Sequence, residues 1–172
     1  MASRRAVLLL GVLLAAGCGY RLLGAGGASA ARIWVGPVSD DSTEPLFGAH
    51  VRTALAREVV DRAEVSLADR SGATALLTCR VVSVKETSKA FVAGDKPRQY
   101  ILEAEGEATL TGRDNKVIWK GLKIQADRLF TAGASVGVTE ANKAQAIELL
   151  AGDLAREIAR RVSLVLGTLP PG

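Results

Sequence analysis

Residues 100–111 read YILEAEGEATLT. Tyr100, Leu102, Ala104, Ala108 and Leu110 alternate with Ile101, Glu103, Glu105, Glu107 and Thr109. Period two sustained over a dozen residues defines a β-strand with one face in a core and the other in water. The chain around it follows from that strand. Gly112-Arg113-Asp114-Asn115 is a hairpin signal, and Val117 to Arg128 returns as a strand. Upstream, residues 74–87 (TALLTCRVVSVKET) are rich in β-branched side chains and predict a strand. Arg32 to Val38 predicts a first strand, with Pro37 ending its ladder. Phe47, Val51, Leu55 and Val59 recur every four residues with Ala54 filling the stripe, so 44–62 predicts an amphipathic helix. Ser42 or Thr43 is its expected N-cap, with Glu44 and Pro45 in the first turn. After an irregular stretch at 130–138, Thr139 is the expected cap of a last helix. Its stripe is Ile147, Leu150, Ala151, Leu154, Ile158, Val162 and Val165, ending at Gly167.

The order β-α-β-β-β-α predicts an α+β fold: a two-layer sandwich in which a four-stranded, mainly antiparallel sheet carries two helices on one face. A length of 172 residues suits one such domain, over 32–168, with 169–172 as a tail. Apolar residues make up 48% and charged residues 23%, which excludes collagen-like, disordered and disulfide-scaffold classes. Mean hydropathy is nevertheless +0.20 with only 4% aromatic residues, because apolar side chains are piled at the front of the chain.

That front reads MASRRAVLLLGVLLAAGC over residues 1–18. Arg4 and Arg5 precede an apolar run from Ala6 to Ala16, shorter than the roughly 17–25 residues that cross a bilayer, so 1–17 reads as an export signal. Cys18 after Ala15-Ala16-Gly17 resembles the lipobox of bacterial lipoproteins, with Leu14 one place earlier than usual. That resemblance implies removal of 1–17, a covalent lipid on Cys18 as the only attached group, and a flexible tether over 18–31. With Gly19 rather than an acid next, it implies an anchor on the periplasmic side of the outer membrane. Loss of Arg4 and Arg5 lowers the net charge from +4 to +2, which removes the main support for nucleic-acid binding.

Chemistry is sparse. Cys79 alternates with Leu77 and Val81 and reads as a small core residue. His50, the single histidine, lies off the helix stripe, at an exposed position with no nucleophile or second imidazole announced beside it. Glu103, Glu105 and Glu107 share one solvated strand face, about 7 Å apart at successive positions. They read as charge-paired rather than as a glycosidase pair. Gly24-Ala25-Gly26-Gly27 lacks the flanking strand, helix and lysine of a phosphate loop. No catalytic residue, metal site or cofactor is expected. Basic residues gather at Lys85, Lys89, Lys96 and Arg98, and again at Arg113, Lys116, Lys120 and Lys123.

The pieces together form a set: a lipobox running into Gly17-Cys18-Gly19-Tyr20-Arg21-Leu22, Ser42-Thr43-Glu44-Pro45-Leu46 opening a helix, Tyr100 beginning the long strand that ends in Leu110-Thr111, then Val117-Ile118-Trp119, and the last helix with Leu154-Ala155-Arg156-Glu157-Ile158. This order resembles the LPS-assembly lipoprotein family, LptE, over nearly the whole chain. The resemblance implies a non-enzymatic subunit that plugs and helps assemble a large LptD-like β-barrel and helps place lipopolysaccharide in the outer leaflet. It also implies lipid contacts by basic residues after the second strand and just before the last helix. Those slots fall near Phe91 to Gly94 and Val138-Thr139, which are not basic, so the neighbouring Lys89, Lys96, Arg98 and Lys143 become the candidates. The alternative class is a tethered lipoprotein that regulates an envelope enzyme such as a peptidoglycan synthase. Trp34, Tyr100 and Trp119 are the large side chains expected in the core or at a barrel interface.

Overall fold

The structure is a computed structural model that describes residues 31–62, 65–91 and 97–168. The signal, Cys18, most of the tether, Lys96 and the tail lie outside the described residues. In chain order the elements are β1 (Ala31–Asp40), α1 (Phe47–Val60), β2 (Val65–Leu67), β3 (Ala75–Phe91), β4 (Pro97–Gly112), β5 (Val117–Thr131) and α2 (Val136–Thr168). The α+β sandwich expected from the sequence is the fold observed, with one strand more: the sheet has five strands in the order β2-β1-β3-β4-β5. β3, β4 and β5 form an antiparallel meander, whereas β1 pairs parallel to both β3 and β2. β2 escapes a periodicity reading because it has three residues, of which only Val65 is buried. It forms because α1 returns the chain beside the start of β1, where Ala31 faces Val65 and Ile33 faces Leu67.

Strand alternation decides the core. On the inner sheet face Ile33, Leu77, Cys79, Val81, Leu102, Ala104, Ala108, Leu110 and Ile124 are buried, while Glu103 on the opposite face is exposed. The inner positions at the middle of β4 are all small: Ala104, Gly106 and Ala108. A Cβ at Gly106 would lie 3.3 Å from the Arg80 carbonyl oxygen and 3.4 Å from Leu154 Cδ2. The missing methyl therefore lets α2 settle onto the sheet. α2 answers with Ala151, Leu154, Ala155, Ile158 and Ala159, all buried. α1 contributes its whole sequence stripe, Phe47, Val51, Leu55 and Val59. It packs on α2, β1 and β2, while α2 packs on β4 and β5.

Both helix caps differ from expectation. α1 starts at Phe47 after Leu46, which takes a left-handed conformation (φ 62°), and no side chain of its own turn caps it. The Gly48 N–H instead donates to the Asp40 carboxylate at 2.7 Å, and Ser42 is spent donating to that same carboxylate. A carboxylate suits the positive end of a helix, and it is supplied here by the end of β1. α2 begins three residues before Thr139, with Ser135 as its cap: the Ser135 hydroxyl accepts from the Val138 N–H at 3.3 Å. Thr139 hydroxyl donates back to the Ser135 carbonyl.

The helices run in the same direction, since ion pairs tie Glu44 to Lys143 near their starts and Glu58 to Arg156 further along. Arg156 also binds Asp153, Asp153 reaches Arg128 on β5, and Glu157 holds Arg160 and Arg161. Hydrogen bonds from those two arginines keep the Glu157 carboxyl down to about 2. Of the aromatic residues Phe47 is fully buried in the core, whereas Tyr100 stacks on Phe130 at 4.9 Å and Trp34 and Trp119 are half-buried.

Gly106→Val is expected to destabilise the protein by about 1–3 kcal/mol, because the added methyls strike backbone and Leu154. Gly152→Ala on α2, where an added Cβ meets nothing within 4 Å, is expected to stabilise it by about 0.5–1 kcal/mol. Urea unfolding midpoints of the two variants check this, and equal shifts would rule out the close helix–sheet contact.

Candidate functional site

The parallel run of β1, β3 and β5, opposed by β4 and both helices, sends the ends of these three strands to one end of the domain. The starts of β4, α1 and α2 lie there too. Ala31, where the tether enters, lies at the other end. Three of the four candidate cations are described, and all fall at the far end.

Lys89 and Arg98 sit near the tip of the β3–β4 hairpin, and the ladder there is irregular. Ser88 faces Tyr100 and Ala90 faces Gln99, so Lys89 is an extra residue on β3. Ala90 faces Gln99 and Phe91 faces Pro97, so Arg98 is an extra residue on β4. Bulges of this kind bend a strand and re-aim side chains, and they concentrate next to sites. Lys89 is exposed and makes no ion pair among the described residues. Of Arg98 the backbone alone is described.

Lys143 is placed differently. On the second turn of α2, its Nζ lies 3.0 Å from Glu86 Oε2 on β3 and 3.6 Å from Glu44 Oε2 ahead of α1. Its pKa is raised above the ordinary lysine value, first by the hydrogen bond to Glu86 and also by the charge of Glu44. Lys143 thus ties α2 to β3 and to the turn ahead of α1, and its charge is compensated twice, while Lys89 has no such partner among the described residues. Sequence spacing gave no sign of this cluster, because its members are separated by 42 and 57 positions. Beside the cations the same end exposes Leu46, Leu129, Val136 and Val138, Val136 at 79%.

The remaining sequence candidates are accounted for by packing and pairing. Cys79 is buried, and burial pushes its thiol up to about 12, so it stays a protonated packing atom at neutral pH. His50 is half-buried rather than exposed, on α1. Across the outer sheet face Glu103 stands opposite Lys85 and Glu107 opposite Arg80, and Glu105 accepts from Gln125 at 3.1 Å. The register sets opposite charges across the strands as the alternation predicts, but the three glutamates make no ion pair among the described residues, and Arg80 is held by Asp41 instead. Among the described residues no group of three or more His, Cys, Asp or Glu is placed to hold a metal, and no helix is long and apolar enough to cross a membrane.

Fold and site define a small α+β domain with candidate cations gathered at one end, beside bulges in the β3–β4 ladder. The fold recurs in protein CT253 of Chlamydia trachomatis (TM-score 0.56, 12% identity, covering 80% of this chain and 98% of that one). It recurs in uncharacterized lipoprotein B of Nitrosomonas europaea (0.55, 12%, 80% and 85%) and in protein XCC0632 of Xanthomonas campestris (0.55, 12%, 83% and 89%). At such identity the likeness shows the fold alone, and no curated protein matches the sequence. The family is shown by the sequence itself: residues 30–162 match LptE, Lipopolysaccharide-assembly, and the chain belongs to that family.

Lys143→Glu is expected to lower the urea midpoint, because it sets a third carboxylate between Glu44 and Glu86. Lys89→Glu is expected to leave the midpoint within about 0.5 kcal/mol of the parent. Equal responses would show that Lys143 does not bridge α1, α2 and β3.

Proposed function

We propose that the protein is the lipoprotein subunit of a lipopolysaccharide translocon. It is anchored through a lipid on Cys18 to the periplasmic side of the outer membrane, and it plugs and helps assemble an LptD-like β-barrel while helping to insert lipopolysaccharide into the outer leaflet. The carrying observation is the family match, which runs from the start of β1 to residue 162 of α2 and so takes in the entire sheet and both helices. The geometry supports the reading at three points. The lumen of a membrane barrel is polar, and the outer sheet face is a lattice of Thr, Glu, Lys and Arg pairs that suits such a wall. The far end combines the exposed Lys89, unpaired among the described residues, with exposed Leu46, Leu129, Val136 and Val138, the pairing that an amphiphile with anionic groups and acyl chains calls for. Finally, a tether over 18–31 spans at most about 50 Å when extended, which keeps the domain within that distance of a lipid anchor.

Phosphate groups on a glycolipid are contacted, in this reading, by Lys89, Lys96 and Arg98. Lys143 acts with them by holding β3 and α2 together at the same end. No step requires a nucleophile, a metal or a cofactor.

Mild detergent extraction is expected to recover the protein with a large outer-membrane β-barrel; recovery as a free monomer would overturn the proposal. Cys18→Ala is expected to leave the protein soluble and mislocalised. Lys96→Glu combined with Arg98→Glu is expected to weaken lipopolysaccharide binding while sparing assembly with the barrel, and unchanged binding would remove both from the site.

A further inference from the structure

β2 ends at Leu67, so beyond Ile33 the outer edge of β1 has no neighbouring strand among the described residues. The Ile33 carbonyl still accepts from the Ala68 N–H at 2.9 Å on that side. By strand alternation the N–H and C=O of Val35 point the same way. Alongside this open edge runs one flank of α1, with Arg52, Thr53, Ala56 and Arg57, and together with Leu67 they line a groove of about 540 Å³. Its charge is unbalanced. Arg62 just after α1 and Arg156, Arg160 and Arg161 on α2 each hold a carboxylate. Arg52 and Arg57 hold none among the described residues. The one acid lining the groove, Asp69, is engaged in its own turn, accepting from the Gly72 N–H at 2.7 Å and the Ser71 hydroxyl at 3.1 Å.

We propose that this groove binds an extended segment of a partner protein, which adds as a strand to the free edge of β1 and carries carboxylates at alternate positions opposite Arg52 and Arg57. Strand addition at a sheet edge beside a helix gives affinity through the main chain and specificity through alternate side chains. Arg52 and Arg57 stand at the two margins of this flank, about 7.5 Å apart along the axis of α1 and about 140° apart around it, so each meets a different carboxylate of an extended segment whose alternate residues repeat every ~6.8 Å. Pro37 has no N–H to offer further along the edge, so the added strand is short and centred on Val35. A free anion or a lipid headgroup would use the arginines and leave the strand edge and the depth of the groove unused.

The test uses the whole chain in mild detergent and a fluorescein-labelled octapeptide of alternating valine and glutamate, followed by fluorescence anisotropy. Saturable binding is expected, absent for the valine–lysine counterpart. Arg52→Glu with Arg57→Glu is expected to weaken it at least about tenfold. Ala56→Trp, which fills the groove without touching its charge, is expected to do the same; should that variant melt early, Thr53→Trp on the same flank replaces it. No binding of the octapeptide would overturn the proposal. So would full binding to both groove-filling variants, which would leave only surface charge. Displacement of the peptide by millimolar inorganic phosphate, or by phosphatidylglycerol vesicles, would also overturn it, by assigning the arginines to an anion or a lipid surface.

Discussion

Everything in this fold rests on how closely α2 approaches β4. The contact is made of small residues from both sides, Ala104, Gly106 and Ala108 on the sheet and Ala151, Ala155 and Ala159 on the helix, with Leu150, Leu154 and Ile158 filling the space between. Short side chains bring backbones near, and a dense contact gains dispersion from many atoms at once. Each of the larger aliphatic residues adds about 1.5–3 kcal/mol by leaving water. The fully buried ring among the described residues, Phe47, comes from α1 rather than from this contact, and Tyr100, Trp34 and Trp119 are half-buried. The same contact sets the register: a slip of one residue along β4 would turn Glu103, Glu105 and Glu107 into the core.

That same alternation made the sandwich legible before any coordinates. β4 and the two helix stripes are periodic and long, and local pattern carries such elements well. β2 is neither, and its pairing depends on where α1 delivers the chain. The caps failed for a related reason. Asp40 serves Gly48 from the end of the preceding strand, across a loop that leaves Ser42 next to it in space as a competing donor. Sequence proximity favoured Ser42 and Thr43; the three-dimensional turn favoured the residue with two carboxylate oxygens to share. Candidate cations were legible as a cluster of charge, but not in their roles. Lys143 became a structural tie because Glu44 and Glu86 converge on it from two other elements, whereas the bulges at Lys89 and Arg98 arise from ladder geometry that no spacing rule reports.

Charge is distributed to match this division. The surface of α2 and β5 is laced by ion pairs, from Glu58 through Arg156 and Asp153 to Arg128. Exposed pairs of this kind add little stability one by one, about 0–1 kcal/mol each, and a network mainly fixes side chains in place. What remains unpaired is therefore informative. Among the described residues Lys89 at one end and Arg52 and Arg57 on the flank of α1 make no ion pair, nor do Lys85, Lys120 and Lys123 on the sheet, so the cations left unpaired lie on surfaces that the core does not use.

A small-residue core also explains how the fold persists in structures with 12% identity. The inner face demands only that β4 and α2 stay slender where they meet and aliphatic where they do not, a requirement that many sequences satisfy. The outer sheet face, the hairpin tip and the α1 edge are under no such demand from packing. Shared architecture therefore says little about partners, and function in this fold is decided at surfaces the core leaves free. Recognition of an amphiphile, a barrel wall or an extended segment needs only shape, charge and an unpaired strand edge, and the domain presents all three outside its core.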